Sequence, residues 1–456
     1  MPTEDISFVT PLGLGFTVLM GVLLLFLPRR YALVPVVILT CYMPMAERII
    51  VLGLHFPMIR VLLLFGVTRV LIRRECRGMQ WNPIDKAMAW YTLAAIVMHV
   101  LLWQTWAEFI NRLGFVYDVA GSYFLFRFLI RGLDDITRLF KITAFFIVPL
   151  TLAMLLEHQT GRNVFVPLGG VPPELRDGEF RARGPFMHPS LAGTLGGSVL
   201  PFFAALWFQG NSLLGVMGVI SSTIIVTTTR SSGPIMTYLA SLLGLGMWFW
   251  RKRMRAVRWG IVLGLLGLHM VMKAPVWWII MHMAIVPGSD AYHRSEIIDA
   301  AIRNFSDWWF VGTKSTEDWG YYLHDVTNQF IWEGVNGGLL QMVLFITIIV
   351  LCFRGVGRTV MGMEKEPFAL RFCVWALGAG LFSHIVTFFS ISYFDQNFVN
   401  WWMLLAMIST VSAPFISIKE KAQVAAAGFG ASAEPSASSP VTHEDQPQRM
   451  AQEYWR

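Results

Sequence analysis

Apolar residues run along this chain in long stretches, and polar positions gather in the interruptions between them. A helix that crosses a bilayer needs roughly 20 apolar residues, somewhat fewer where the bilayer is thin. Thirteen stretches approach that length, near 11–27, 31–46, 50–71, 85–104, 111–130, 139–156, 189–208, 212–228, 232–250, 257–272, 337–353, 369–390 and 396–417. The third carries Arg60 and the early ones are short, so the pattern predicts 12 or 13 spans. The expected fold class is an all-α polytopic membrane protein with a large helical outer (periplasmic) loop.

Two segments break the apolar pattern, 157–188 and 273–336. They divide the chain into N-terminal transmembrane helices (1–156), an outer loop (157–188), further transmembrane helices (189–272), a large outer loop (273–336) and C-terminal transmembrane helices (337–417). The remainder, 418–456, is poor in large apolar residues and rich in Ala, Ser and Pro, and reads as a disordered tail. Within the large loop, PVWWIIMHMAIV (275–286) reads as a helix lying in the membrane interface, because Pro275 and two tryptophans open it. Residues Ile297, Ile298, Ala301, Ile302 and Phe305 form an apolar stripe of helical period, flanked by Arg294 and Arg303.

Composition sharpens this picture. Of 456 residues, 55% are hydrophobic and 14% charged, against about 25% charged in soluble domains, and the mean hydropathy is +0.55. This excludes a disordered chain, a coiled coil and an ordinary soluble enzyme. The net charge of +7 reads as basic loops that orient spans, and no nucleic-acid partner is expected. With the tail placed in the cytoplasm, about two-thirds of the 36 Lys and Arg fall on the inner side and most of the 29 Asp and Glu on the outer side. Four cysteines without a CxxC pair suggest neither a disulfide framework nor a zinc site. The acidic start MPTEDIS lacks the basic region of a cleavable signal.

Three polar clusters could carry chemistry. The seventh span opens with RARGPFMHPSLAG (181–193), with Pro189 suited to a first helical turn. Its N-terminus faces outward, where partial positive charge and free N–H groups collect, and Arg181 and Arg183 precede it. Gly193, Gly196 and Gly197 read first as a helix-packing face. The ninth span opens with TTTRSSGP (227–234): Ser231 or Ser232 can cap it, and Arg230 stands at a second outward N-terminus. The third cluster, YYLHDVTNQFIWEGVNGGLLQM (321–342), holds His324, Asp325, Asn328 and Glu333 just before the eleventh span. If helical, it would set His324 and Asn328 on one face, and a neighbouring His and Asp can form a general base. The outer aromatics Trp277, Trp278, Trp308, Trp309, Trp319, Tyr321 and Tyr322 suit a membrane interface first and sugar stacking second. His99, His269 and His384 read as helix–helix hydrogen-bonding groups, and Asp118 and Asp395 as arginine partners. The chain has no GxxxxGK[ST], GxSxG or HExxH motif and no outward pair of metal-ligand spacing.

The string GPFMHPSLAG resembles the GxFxxPN motif of the O-antigen ligase and polymerase superfamily. TTTRSSGP resembles that family's TxSR motif, and DVTNQFIWEGVNGGLL its HNxxLxxxxxxGxxG segment. The three occur in the family's order, with the large outer loop in its place, over roughly residues 180–345. Ser190 stands where the family often has Asn, and Thr327 where it has His, with His324 four residues before Asn328. The segment is most similar to the subgroup of exopolysaccharide-production membrane proteins.

The resemblance implies a metal- and cofactor-independent inverting glycosyltransferase of the bacterial inner membrane. Its donor would be an undecaprenyl-pyrophosphate-linked oligosaccharide and its acceptor a hydroxyl of a glycan or glycolipid. Arg183, Arg230 and Arg294 would bind the pyrophosphate, with Arg181, His188 and Asn328 in support. His324 would act as general base, oriented by Asp325, with Glu333 the second choice. The rival expectations are a lipid-linked oligosaccharide flippase and a non-catalytic scaffold for polysaccharide export.

Overall fold

The computed structural model describes residues 9–45, 47–51, 54–283, 285 and 291–429, and the chain is mostly helical over them. The N-terminal part holds α1 (Pro11–Phe26), α2 (Val34–Tyr42), a hairpin of β1 (Arg48–Val51) and β2 (Leu54–Pro57), and α3 (Met58–Arg73). Next come α4 (Pro83–Trp103), α5 (Trp106–Leu129) and α6 (Leu133–Thr160). A second hairpin, β3 (Glu174–Arg176) and β4 (Glu179–Arg181), precedes α7 (Pro189–Phe208), α8 (Ser212–Thr228) and α9 (Ser232–Gly246). Then follow α10 (Met254–Val271), α11 (Ala291–Arg303), the single turn α12 (Phe305–Trp308), α13 (Gln329–Gly362), α14 (Phe368–Phe388) and α15 (Asp395–Phe429).

Among the described residues, six helical stretches are long and apolar enough to cross a membrane, and α1 and α8 are shorter apolar helices. The stretch expected at 31–46 yields only the nine residues of α2. That expected at 50–71 begins as a hairpin in which Ile49 pairs with Phe56, and only then becomes α3. A run of apolar residues suits either element when it is short, and here the first half is extended. α15 continues to Phe429, past the expected end at 417, through KEKAQVAAA, whose residues are good helix formers. The rest of the expected disordered tail lies outside the described residues.

One large apolar core runs through the bundle, with Trp401, Trp402, Phe126, Phe140 and Phe203 at under 2% exposure. Helix α7 is its axis, since nearly every residue on it is buried. The glycine face explains how. A Cβ at Gly193 would lie 2.6 Å from Pro234 and Thr229, and one at Gly196 2.8 Å from Ile225, so α8 and α9 close directly onto the α7 backbone. By contrast α10 buries no residue at all.

Within 273–336 the described residues form short helices and turns, and they differ from the expected parts. PVWWIIMH forms a 3₁₀ helix (Val276–Met283), pinned by Trp277 Nε1 to Asp299 at 3.2 Å. The buried face of α11 is Ile297, Ala300 and Ala301, joined by Trp308, Trp319, Leu323 and Val326 in a small second core. Ile302 and Phe305, expected in the stripe, are exposed: Ile302 lies off the buried face of α11, and Phe305 follows the helix end at Arg303.

Helix α13 starts at Gln329, eight residues before the expected span, and breaks at Gly337 and Gly338. Gly338 has φ +67°, and a Cβ there would overlap the Phe310 carbonyl oxygen. Only glycine fits such a site without strain. The break opens the helix ladder to the loop: Thr313 N–H donates to the Val335 carbonyl at 2.9 Å, and Leu339 N–H to that of Trp309 at 2.7 Å.

Candidate functional site

A cavity of about 890 Å³ opens at the end of the bundle where α7, α9 and α13 begin. Its walls come from six chain segments that the sequence holds far apart. The β3–β4 hairpin contributes Glu174, Arg176 and Arg181. The start of α7 contributes His188 and Ser190, and the α8–α9 turn Arg230 and Ser231. The first turn of α11 adds Tyr292, His293 and Arg294, and the turn before α13 adds Tyr321, Tyr322, His324 and Asp325. Ser390 and Phe394, between α14 and α15, complete it.

The TTTRSSGP string becomes a helix–turn–helix hinge with no loop. Arg230 N–H donates to the Thr227 carbonyl at 3.2 Å, and Arg230 itself takes φ +45°. A non-glycine residue in this region is strained by about 1 kcal/mol or more, and such residues persist where surrounding structure holds them. The hinge points the Arg230 side chain into the cavity wall, where its Nη1 donates to Glu179 of β4. Ser231 sits at the N-cap of α9, yet its hydroxyl does not cap the helix as expected. Arg181 has captured it: Nη2 donates to Ser231 Oγ at 2.6 Å, Nη1 to Glu174 at 2.9 Å and Nε to the Thr229 carbonyl at 3.3 Å.

Arg181 is 4% exposed. Burial lowers its pKa from the ordinary arginine value and Glu174 opposes that shift. A guanidinium remains cationic in proteins. Its role is to lock β4 onto the α8–α9 hinge, which Ala182 N–H reinforces by donating to the Thr228 carbonyl at 3.1 Å.

His188 is the N-cap of α7, and Pro189 takes the first helical position as expected. Ser190 N–H donates to His188 Nδ1 at 3.1 Å, which puts the proton of the neutral ring on Nε2. Burial first, and Arg181 next, push the His188 pKa below the ordinary 6.5. The ring is therefore a neutral hydrogen-bond donor beside two arginines.

The loop carrying His188 is held from the far side of the chain. Asp395 accepts the Met187 N–H at 2.7 Å, Gln396 Nε2 donates to the Pro185 carbonyl at 3.1 Å, and Asn397 Nδ2 donates to the Leu191 carbonyl at 2.7 Å. Asp395 thus binds a backbone amide rather than the arginine expected for it. Asp118 does pair an arginine, Arg60, through two oxygens.

Of the nine site residues expected from sequence, the cavity gathers six: Arg181, His188, Arg230, Arg294, His324 and Asp325. Three are elsewhere. Arg183 does not line it: the chain bends back after β4, and Arg183 Nη1 donates to the Met187 carbonyl at 3.0 Å within its own loop. Asn328 is the N-cap of α13, accepting from Phe330 N–H at 3.0 Å and Ile331 N–H at 3.2 Å. Glu333 is buried in the bundle, accepting from Tyr91 at 2.8 Å, Gln329 at 2.9 Å and Gln341 at 2.6 Å. α13 turns inward directly after its cap, so a residue near the loop in sequence lies inside the core.

The 321–327 segment is a series of turns, so His324 and Asn328 share no helical face. Among the described residues no hydrogen bond joins His324 to Asp325. His324 is exposed with its ring 5.8 Å from that of Tyr322, and His293 Nε2 meets the Asp325 carbonyl at 2.9 Å. Sequence reasoning missed Arg176 and His293. Arg176 faces Glu179 across the hairpin register, and only the pairing of β3 with β4 brings it to the site. His293 had a local signal, YHR beside the expected Arg294.

The arrangement can bind a multiply charged anion on its arginines and helix N-termini, and can accept a proton at His324. No protein-family model matches this chain, and no curated protein matches it.

Proposed function

We propose that this chain is a membrane glycosyltransferase of the O-antigen ligase and polymerase type, acting at the outer face of the bacterial inner membrane with its C-terminus in the cytoplasm. It takes a glycan from undecaprenyl pyrophosphate and transfers it to a hydroxyl of a glycan or glycolipid acceptor. The observation that carries this reading is the convergence of Arg181, Arg230, Arg294, His188 and His324 on one cavity at one end of an apolar bundle. The three motifs that suggested the family lie in separate parts of the sequence, and residues of each meet there.

In this mechanism Arg230 and Arg294 bind the pyrophosphate, Arg176 replaces Arg183 as a further cation at the wall, and His188 Nε2–H donates to a phosphate oxygen. His324 takes the acceptor hydroxyl proton. The freed oxygen bonds to the anomeric carbon as the bond from that carbon to the pyrophosphate oxygen breaks, and undecaprenyl pyrophosphate leaves with both electrons. One displacement inverts the anomeric centre. The developing negative charge stays on the arginines and N–H groups, often the largest catalytic contribution in a preorganised site.

Complementation of a deletion strain tests the reading. Wild type restores long polymer or glycan-capped lipid, whereas Arg230→Ala and His324→Ala, present in the membrane at normal levels, leave lipid-linked repeat units. Full product from both variants refutes it. The broken helix α13 and its buried Glu333 favour a second reading, a flippase. The side of the membrane on which the lipid-linked unit accumulates separates the two: outside for a transferase defect, inside for a flippase defect.

A further inference from the structure

The large outer segment carries nine Trp and Tyr residues that could serve a membrane interface, and most are packed on other side chains, Trp332 on Phe115 among them. Trp308 and Trp319 are buried in the small second core, Trp308 with its Nε1–H on the Ala301 carbonyl at 2.8 Å. Trp277 stacks on His269 and bonds Asp299. Trp278 packs on Tyr292 at 5.5 Å, and Trp309 on Phe310 at 5.5 Å. Tyr321 and Tyr322 remain, 87% and 61% exposed, and both line the cavity; Tyr292 lines it too, with its ring packed on Trp278. Their rings meet edge to face with centroids 4.4 Å apart. Among the described residues, neither hydroxyl has a hydrogen-bond partner, whereas the hydroxyls of Tyr42, Tyr91, Tyr117, Tyr123 and Tyr393 all do. Tyr322 also holds φ +59°, which costs on the order of 1 kcal/mol or more for a bulky residue.

An interfacial tyrosine sets its ring against lipid and its hydroxyl toward water. These two rings instead face a chamber whose other walls include arginine, histidine, serine and carboxylate side chains. Apolar faces with polar edges, stiff and presented into a polar cavity, fit a ring that itself has an apolar face and hydroxyl edges. A pyranose has that form.

We propose that Tyr321 and Tyr322 are a sugar-binding platform for the glycan acceptor. Calling the bound sugar the acceptor rests on the transferase reading; the platform itself does not. The Tyr322 and His324 rings are neighbours, with centroids 5.8 Å apart and planes tilted by 42°. Both rings line the chamber, so a sugar stacked on the open face of Tyr322 lies beside His324 and can turn an edge hydroxyl toward it. The arginines stand on separate chain segments, at the β3–β4 hairpin, the α8–α9 hinge and α11, so the charged donor and the neutral acceptor use different walls of one chamber.

The test uses the full chain in lipid nanodiscs and, as probe, neutral oligosaccharides released from the producing cell's own exopolysaccharide. Calorimetry or tyrosine fluorescence reads their binding in wild type, in the double variant Tyr321→Ala/Tyr322→Ala, and in Tyr321→Phe/Tyr322→Phe. We expect Kd to rise about tenfold or more in the alanine variant and far less in the phenylalanine variant, since the ring face carries the contact. In the transfer assay, the acceptor KM rises by a similar factor in the alanine variant while the donor KM holds. No oligosaccharide binding by wild type, or equal binding by the correctly folded alanine variant, overturns the platform. Binding that depends on the tyrosines in a chain that transfers nothing leaves the platform standing and overturns the transferase reading alone.

Discussion

Two regions of this molecule concentrate charge, and they use it in opposite ways. Inside the bundle, Asp85 accepts from Tyr123 at 2.6 Å, from Arg127 at 3.1 Å and from Ser409 at 3.0 Å, while Arg127 also meets the Gln80 carbonyl at 3.0 Å. Glu333 has its own set of neutral donors, and Arg112 closes that cluster by donating to Gln341 at 2.7 Å and to the Ala95 carbonyl at 2.9 Å. At the cavity, Arg230 pairs with one exposed carboxylate, Glu179. A charge saturated by its neighbours joins helices. A charge with one exchangeable partner at the edge of a polar chamber can bind something else. The difference lies in the completeness of the partner set, since both regions draw on the same residue types.

The largest effect comes from breaking the saturated region. Arg127→Ala leaves the fully buried Asp85 without its cation, and a broken buried pair typically costs about 3–5 kcal/mol. We expect loss of folded protein from the membrane, read as extracted yield and thermal midpoint, with Asp85→Asn/Arg127→Ala less damaging than Arg127→Ala. Arg230→Ala should do the reverse. Its exposed pair contributes no more than about 1 kcal/mol to stability, so the thermal midpoint holds, while transfer falls about a hundredfold, equivalent to roughly 3 kcal/mol of transition-state stabilisation. A lower midpoint with unchanged transfer would erase the contrast.

Acidity sharpens it further. The folded His188 ring has a pKa below 6.5 because burial and Arg181 disfavour its charged form. The unfolded chain therefore binds this proton first as pH falls. Stability contributed by the neutral ring is present above 6.5 and is lost on acidification until the lower folded pKa is passed, by at most about 1.4 kcal/mol per pH unit. Thermal midpoints at pH 7.5 and 5.5 should differ less for His188→Gln than for wild type. The smallest effect is expected at Glu179. Glu179→Gln removes the carboxylate that competes for Arg230, and the donor KM should drop a few-fold with stability unchanged.

The helices were the most legible part of the fold, because apolar runs of sufficient length leave few other choices in a membrane. The exceptions are instructive. At 48–57 the apolar residues are β-branched and aromatic as well, and a hairpin satisfies them equally. The site was legible where one short string both builds the turn and supplies the side chain, as TTTRSSGP does for Arg230. It was illegible where chemistry depends on pairing: Arg176 arrives through a hairpin register, and Tyr321 and Tyr322 stand out only once the packing partners of the other aromatics are known. Glu333 shows the opposite error. Proximity in sequence suggested a catalytic neighbour of His324, but one helical cap at Asn328 separates a loop residue from a core residue.

The break in α13 has a consequence for how this protein can be taken apart. Thr313 N–H bonds the Val335 carbonyl and Leu339 N–H the Trp309 carbonyl across it, and Ile331 of the helix completes the small core beneath α11. The segment 291–328 therefore has no severable boundary on its C-terminal side. Expressed alone as 291–328, it would expose that core and strand two backbone partners, so it should remain insoluble or unstructured as a fragment. Ligands, antibodies and inhibitors aimed at the chamber need to be screened against the whole chain in a bilayer.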